Sequence, residues 1–399
     1  MRAGQSPFER RGLLAQAFSL RLDWWRVDWH LLALALALLA LGMLVVHAIA
    51  LSDDALGRDG VVFAKHVKKV LVASPMLLVG LTLRPRWLRR HAWTIYGATI
   101  VLLLLLPFVG EVRNNATRWM QLPLIGFDLQ PSELAKLGLV IALARVLYSS
   151  RLERWRDWRA PLGITLLPLA LVMMQPDLGT AMSMAPVCAG MLYLAGASGR
   201  RLAGIALGGL VLGVLAYKFE WLRDYQLERV ETWLESFGAS ALIDGRTGSA
   251  FHNYHARVAI GNGGWWGQGL GNGVANEAGH LPERDCDSIV AVIAEEAGFV
   301  GVSAVLLLYA LMVVLLLASA AQIRERFSRL VVGGLGLHFA SHLFVNVGVN
   351  LGLVPMTGLP LPLFSTGGSA MLATFAALGL ALGLAAQREA ALDEDAFRD

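Results

Sequence analysis

Two groups of ionisable residues stand in or beside long apolar runs. Insertion of such groups into a membrane costs on the order of 2.5–3.5 kcal/mol, so they mark functional sites by default. The first is Gln130-Pro131-Ser132-Glu133-Leu134-Ala135-Lys136. Glu133 and Lys136 are three apart, so they share a helix face and can neutralise each other. Two roles fit them: an ion pair fixing two helices, or the charged wall of an outward cavity that positions a polar substrate. The second is Leu281-Pro282-Glu283-Arg284-Asp285-Cys286-Asp287, which leads into an apolar run containing Glu295 and Glu296. Asp287 falls at the start of that run, where a helix dipole favours the anion. It reads either as a helix cap, Asp being a preferred N-cap, or as an ionised catalytic carboxylate. Glu295 and Glu296 lie two turns deeper and call for a partner such as Arg or Lys from another span.

A third group, His338, His342, Asn346 and Asn350, recurs every four residues and so forms one helix face. Two histidines at i, i+4 can ligate a metal, but no HExxH pattern or nearby carboxylate accompanies them. Polar packing or cavity lining fits the stripe better, since Asn joins helices in membranes. The segment Pro355–Ser369, with Gly358, Pro360, Pro362, Gly367 and Gly368, is punctuated against helix formation. At membrane depth such a segment must be buried in protein or line a cavity. The run Gly261-Asn262-Gly263-Gly264 followed by Gly267-Gln268-Gly269-Leu270-Gly271 lacks the GxxxxGK[ST] lysine and follows no strand, so it is not a Walker loop. Flexibility is its expected role, with a backbone cradle for pyrophosphate as the alternative.

The elements that must hold these groups are membrane helices. Of 399 residues, 56% are hydrophobic and only 16% charged, against roughly 25% charged in a soluble domain. The mean hydropathy is +0.56. The net charge of +4 comes from short basic blocks between apolar runs, a pattern of membrane loops and not of a nucleic-acid-binding face. Cys188 and Cys286 make no disulfide framework. The polar, basic start lacks the pattern of a cleavable signal peptide.

An all-α, polytopic protein with about ten spans is expected, at roughly 17–25 residues per span. The clearest runs are Trp29–Leu51, Trp93–Gly110, Leu202–Trp221, Ser288–Ala318, Leu330–Val354 and Ser369–Ala386. Val70–Leu83, Pro131–Leu147, Pro161–Met174 and Ala181–Ala197 are weaker. This divides the chain into an N-terminal segment 1–28, a transmembrane domain 29–387 and a tail 388–399. Arg10, Arg11, Arg86, Arg89, Arg154, Arg156, Arg200, Arg201, Arg324 and Arg329 fall on one side, and the other short loops hold only Arg58, Lys65, Lys68, Lys69, Arg113 and Arg118. Both termini are therefore expected to be cytoplasmic. The polar segments 114–130, 175–180, 224–287 and 355–368 then face outward, the longest of them lying between the seventh and eighth spans.

Together these segments resemble the SEDS family (shape, elongation, division and sporulation) of bacterial cell-wall membrane proteins. The resemblance rests on Arg118-Trp119, Gln130 to Lys136, Gln175-Pro176-Asp177-Leu178-Gly179-Thr180, Leu281-Pro282-Glu283 with Asp287, and Glu295-Glu296-Ala297-Gly298. It continues through Asn346 to Asn350, Pro355-Met356-Thr357-Gly358 and Pro360 to Ser369. It implies a peptidoglycan glycosyltransferase of the cytoplasmic membrane that adds lipid II to a growing glycan. Asp287 would then be the general base, and Glu133, Lys136, Arg118, Ser365, Gly367 and Gly368 would bind substrate. A class B penicillin-binding protein and elongation-complex proteins would be its partners, and no nucleic acid. The resemblance assigns no definite cofactor; a divalent cation, magnesium or manganese, would suit a pyrophosphate leaving group.

Two departures from the family pattern stand out. Asp285-Cys286-Asp287-Ser288 replaces His-Thr-Asp-Phe, and Ser365-Thr366-Gly367-Gly368 replaces Ser-Tyr-Gly-Gly. The added carboxylate of Asp285 would raise the pKa of Asp287 or join it in binding a cation. Pro282-Glu283-Arg284 and Pro360-Leu361-Pro362-Leu363 resemble the elongation branch (RodA), whereas Gly269-Leu270-Gly271-Asn272 resembles the division branch (FtsW). The elongation branch is the reading adopted. A flippase for lipid-linked precursors is the rival from another class, although alternating access places its site nearer the membrane midplane.

Overall fold

The computed structural model describes residues 18, 24–55, 60–113, 116–122, 127–150, 152–219, 221, 224–235, 248–274, 281 and 283–387. The expected terminal segments (most of 1–28, and 388–399), Arg58, Asn114, Pro282 and the middle of the long outer segment lie outside the described residues.

All ten expected spans form helices. They are α1 (Trp29–Ala55), α2 (Val62–Thr82), α4 (Ala92–Val109), α5 (Pro131–Leu147), α6 (Arg159–Met174), α7 (Leu178–Leu194), α8 (Gly199–Lys218), α11 (Ile289–Gln322), α12 (Arg326–Asn350) and α13 (Gly368–Ala386). A short helix α3 (Pro85–Arg90) links α2 to α4, and α9 (Asp224–Glu235) and α10 (Gly248–Gly263) lie in the long segment between α8 and α11. Among the described residues, seven helices are long and apolar enough to cross a membrane by length and composition. Of the other three, α5 and α7 have 17 residues each, and α2 carries three lysines near its start. Those lysines were expected in a loop. Lys65, Lys68 and Lys69 instead lie on α2, which starts eight residues before the apolar run, because lysine is a good helix former.

The segment after α4 departs from the all-α expectation. It forms a small antiparallel sheet of β1 (Glu111–Arg113), β2 (Ala116–Leu122) and β3 (Phe127–Leu129), in that order, with Val112 opposite Thr117 and Met120 opposite Leu129. The β-branched and aromatic residues Thr117 and Trp119 suit strands, and their run is too short and polar to register against the apolar spans.

Helix ends follow local chemistry. Pro85 and Pro131 occupy first turns, where a missing N–H costs nothing. Asp177 caps α7 by accepting from the Thr180 amide at 3.2 Å, and Glu325 caps α12 by accepting from the Ser328 amide at 2.6 Å. The core is a continuous apolar cluster that includes Leu139, Phe327, Leu335, Phe339 and Leu378. Helices α2 and α13 pack closely through glycines: a Cβ on Gly80 would lie 2.6 Å from the Leu380 amide nitrogen. That crossing brings the first turns of α2 beside the residues that precede α13. No residue of α8 is buried, so this helix flanks the bundle.

Helix α11 breaks at Gly298, which takes φ 68° and ψ −172°, a region open essentially to glycine alone. The break frees two carbonyls and two amides at membrane depth, and the glycine run satisfies all four. Gln268 N–H donates to the Glu295 carbonyl and Gly269 N–H to the Glu296 carbonyl, each at 3.0 Å. Phe299 N–H donates to Gly264 at 2.8 Å and Val300 N–H to Trp265 at 3.1 Å. A Cβ on Gly263 would collide with the Ala294 carbonyl, and one on Gly267 with that of Glu296. The glycines therefore serve close backbone approach, which corrects the expected flexibility. The amides of Gln268 and Gly269 are committed to α11 and not presented to a phosphate.

Candidate active site

The residues Arg284, Asp285, Cys286 and Asp287, just before α11, are each held by a different group. Arg284 Nη2 donates to Asp53 Oδ1, near the end of α1. Asp285 Oδ2 accepts from Thr366 Oγ1 at 2.5 Å, and the Asp285 carbonyl accepts from the Thr366 amide at 2.9 Å. The Cys286 carbonyl accepts from Ser365 Oγ, which in turn accepts from the Leu361 amide at 2.9 Å. The Asp287 carbonyl accepts from Asn346 Nδ2 at 3.2 Å and from Asn350 Nδ2 at 2.9 Å. The polar stripe of α12 thus holds the backbone of Asp287. Asn346 Nδ2 also donates to the Leu359 carbonyl at 2.8 Å, which ties the Pro355–Gly367 segment to the same place.

The side chain of Asp287 is buried, with 3% of the residue exposed. The N-cap of α11 is Ser288, and Asp287 Oδ1 accepts no hydrogen bond. The cap reading of Asp287 therefore does not hold in this fold. His252, on α10, places Nε2 3.4 Å from Asp287 Oδ1 and 3.1 Å from Ser288 Oγ. Partial burial and then the charges of Asp287 and Asp285 raise the pKa of Glu283, with His252 opposing them. Burial, then Asp287, Asp285 and Glu283, push the Cys286 thiol well above its usual range, and Lys69 opposes that shift. Lys69 Nζ donates to the Thr366 carbonyl at 2.6 Å, which sets a positive charge beside a cluster of three carboxylates.

Glu133 and Lys136 form a closed set. Lys136 Nζ donates to Glu133 Oε1 at 2.8 Å and to His342 Nε2 at 2.7 Å, and all three residues are buried. His342 Nδ1 faces the Pro360 carbonyl at 3.1 Å and must donate to it. Both ring nitrogens of His342 are thus occupied, in accord with polar packing of the stripe. Arg118, on β2, donates through Nε to the Gln175 carbonyl at 3.3 Å and through Nη2 to that of Pro176. It clamps the turn before α7. Asn262 Nδ2 approaches Glu295 Oε1 at 3.5 Å. Gly367 is the N-cap of α13, so the positive end of that helix begins at Gly368.

Sequence reasoning singled out Asp287, Ser365 and the α12 stripe, which the fold brings together. Lys136, expected to bind substrate, is bonded to Glu133 and His342, and Arg118 to the carbonyls of Gln175 and Pro176; Lys69 and His252 were not singled out. The signal for His252 was available: with Ala256 and Ala259 it repeats at helical spacing, and all three are buried. Among the described residues no three His, Cys, Asp or Glu side chains converge as a metal site.

A family model described as "Cell cycle protein" (FTSW_RODA_SPOVE) matches residues 28–390. The peptidoglycan glycosyltransferase MrdB of Escherichia coli (strain K12) is 32% identical over 336 residues, covering 84% of this chain and 88% of that protein. The probable peptidoglycan glycosyltransferase FtsW of Aromatoleum aromaticum is 34% identical over 310 residues, covering 74% and 71%. Among solved structures, a chain from work on the structural coordination of polymerization and crosslinking by a peptidoglycan synthase complex aligns with TM-score 0.75 and 32% identity, over 94% of this chain and all of that one. The rod shape determining protein RodA of Thermus thermophilus aligns with TM-score 0.68 and 30% identity over the same shares.

Proposed function

Because the chain belongs to the SEDS family, the FtsW/RodA/SpoVE membrane proteins, we propose that it polymerises lipid II into glycan strands with Asp287 as general base. One observation carries the assignment of the base. Asp287 is held in place through its backbone carbonyl, by Asn346 and Asn350, while its carboxylate keeps an oxygen that accepts no hydrogen bond. A carboxylate held this way has fixed position and spare accepting capacity, the two things a general base needs.

In the reaction, the acceptor sugar's 4-hydroxyl oxygen attacks the anomeric carbon of the donor. The bond from that carbon to the pyrophosphate oxygen breaks, and undecaprenyl pyrophosphate leaves with the electron pair. Asp287 takes the hydroxyl proton as the new C–O bond forms. The departing pyrophosphate needs positive charge. Lys69 supplies it beside the 284–287 segment, and the amino end of α13 at Gly367 and Gly368 adds its dipole. Ser365 keeps that segment against the Pro355–Gly367 turn. Glu133 with Lys136, and Arg118 on the turn before α7, hold the walls around these groups.

The chemistry lies at the outer face of the cytoplasmic membrane, with both termini inside. A class B penicillin-binding protein is the partner, in keeping with the synthase-complex chain among the structural matches. The elongation branch is favoured because the rod shape determining protein RodA of Thermus thermophilus aligns over 94% of this chain and all of its own. The test is polymerisation of labelled lipid II by the purified chain with its transpeptidase partner. Wild type should give long strands and folded Asp287→Ala none. Equal product from both overturns the base, and no product from wild type with a competent partner overturns the polymerase.

A further inference from the structure

We propose that His252 is a positioning residue for Asp287: its imidazole N–H fixes the carboxylate in the orientation that accepts the substrate proton. The inference rests on the reading of Asp287 as base and adds a second side chain to it.

Three observations carry it. His252 lies on α10, far along the chain from Asp287, yet the fold packs α10 against α11 and brings Nε2 to 3.4 Å from Oδ1. Among the described residues it is the basic side chain within ion-pair distance of that carboxylate, and both side chains are more than nine-tenths buried. Finally, Asp287 Oδ1 is buried without a hydrogen-bond partner. Buried polar atoms are nearly always paired, so an orphan oxygen facing His252 Nε2 at 3.4 Å points to a bond from that nitrogen completed in another state. The carboxylate only accepts, so the nitrogen facing it carries the proton. Ser288 Oγ, 3.1 Å from the same nitrogen, holds the ring in place. A separation of 3.4 Å is long for a hydrogen bond, and such contacts at catalytic groups tighten when substrate is bound. The backbone of Asp287 is fixed by α12 and its carboxylate is oriented by α10, so the two halves of the residue are set by different helices.

The experiment uses the full chain with its transpeptidase partner and labelled lipid II. His252→Met fills the space without a donor, whereas His252→Gln has nearly the same shape and returns an N–H. The expected result is a fall in kcat of about tenfold to a hundredfold for Met at unchanged KM, and recovery to within about threefold of wild type for Gln. Wild-type kcat in His252→Met overturns the proposal. So does a Gln variant as inactive as Met while both elute folded, because the N–H is then not what matters. Should neither variant fold, nitrogen NMR of histidine-labelled wild type and Asp287→Asn gives the answer. One ring resonance should move between them, and nine unmoved histidines overturn the proposal. Failure of the base reading is separately visible, as full polymerisation by Asp287→Ala whatever residue 252 is.

Discussion

Asp177 and Asp287 invite comparison, because each is buried and each stands just before the start of a helix, with 4% and 3% of the residue exposed. At Asp177 the carboxylate itself is saturated. It accepts from the Thr180 amide at 3.2 Å, from Thr180 Oγ1 at 2.8 Å and from Gln130 Nε2 at 3.0 Å. At Asp287 the protein holds the backbone instead and leaves the carboxylate facing one imidazole at 3.4 Å. The same residue type, at the N-cap of one helix and one residue before the N-cap of the other, is a fastener in the first place and the proposed base in the second. What separates them is whether the fold has used up their lone pairs.

The largest expected effect separates the two outright. Asp287→Ala should lower polymerisation by about a hundredfold to ten-thousandfold, the range for a lost general base, with the thermal midpoint close to wild type. The saturated Glu133–Lys136–His342 set should behave in the opposite sense. Lys136→Met leaves Glu133 buried and uncompensated and should cost about 3–5 kcal/mol in unfolding measurements. Adding Glu133→Leu should return most of that loss. Asp177→Ala removes a cap and orphans its donors, so it should cost about 1–3 kcal/mol, and the variant that stays folded should still polymerise. A catalytic defect in folded Asp177→Ala beyond its stability loss would break the contrast.

The smallest effect concerns the charge crowding around Asp287. Burial and the neighbouring carboxylates raise the pKa of Glu283, so the folded state favours its protonated form. Below about pH 4 the carboxyl is protonated in both states, and Glu283→Gln should match wild type in thermal midpoint. As the pH rises past the ordinary glutamate value of about 4.3, wild type loses stability relative to the variant, and the gap levels off above the raised pKa. A gap of the opposite sign would mean that Glu283 is paired and not crowded.

The helices were legible because membrane spans announce themselves by apolar length, which is why even the 17-residue α5 and α7 were found. The start of α2 was misread for the same reason: its lysines interrupt the apolar signal while favouring the helix. The small sheet was invisible to that signal, since pairing between Val112 and Thr117 is a matter of register between short polar segments. In the site, Asp287 and the α12 stripe stood out as polar groups where polarity is costly. The roles of Asn346 and Asn350 did not, because what they hold is a backbone carbonyl, which every residue has. His252 and Lys69 act through distances across the fold that no local spacing encodes, and the true partners of Arg118 are carbonyls for the same reason.

The seam at Gly298 has a mechanical consequence. A continuous α11 would behave as a lever about 50 Å long at 1.5 Å per residue, carrying any tilt of its membrane-embedded end directly to the residues ahead of Ile289. The break divides that lever in two, and the four backbone bonds to Gly264, Trp265, Gln268 and Gly269 moor the joint to the segment that follows α10. The residues ahead of Ile289, Asp287 among them, are therefore set by the short arm and its bonds to residues 264–269, and not by the direction of the long arm beyond the joint.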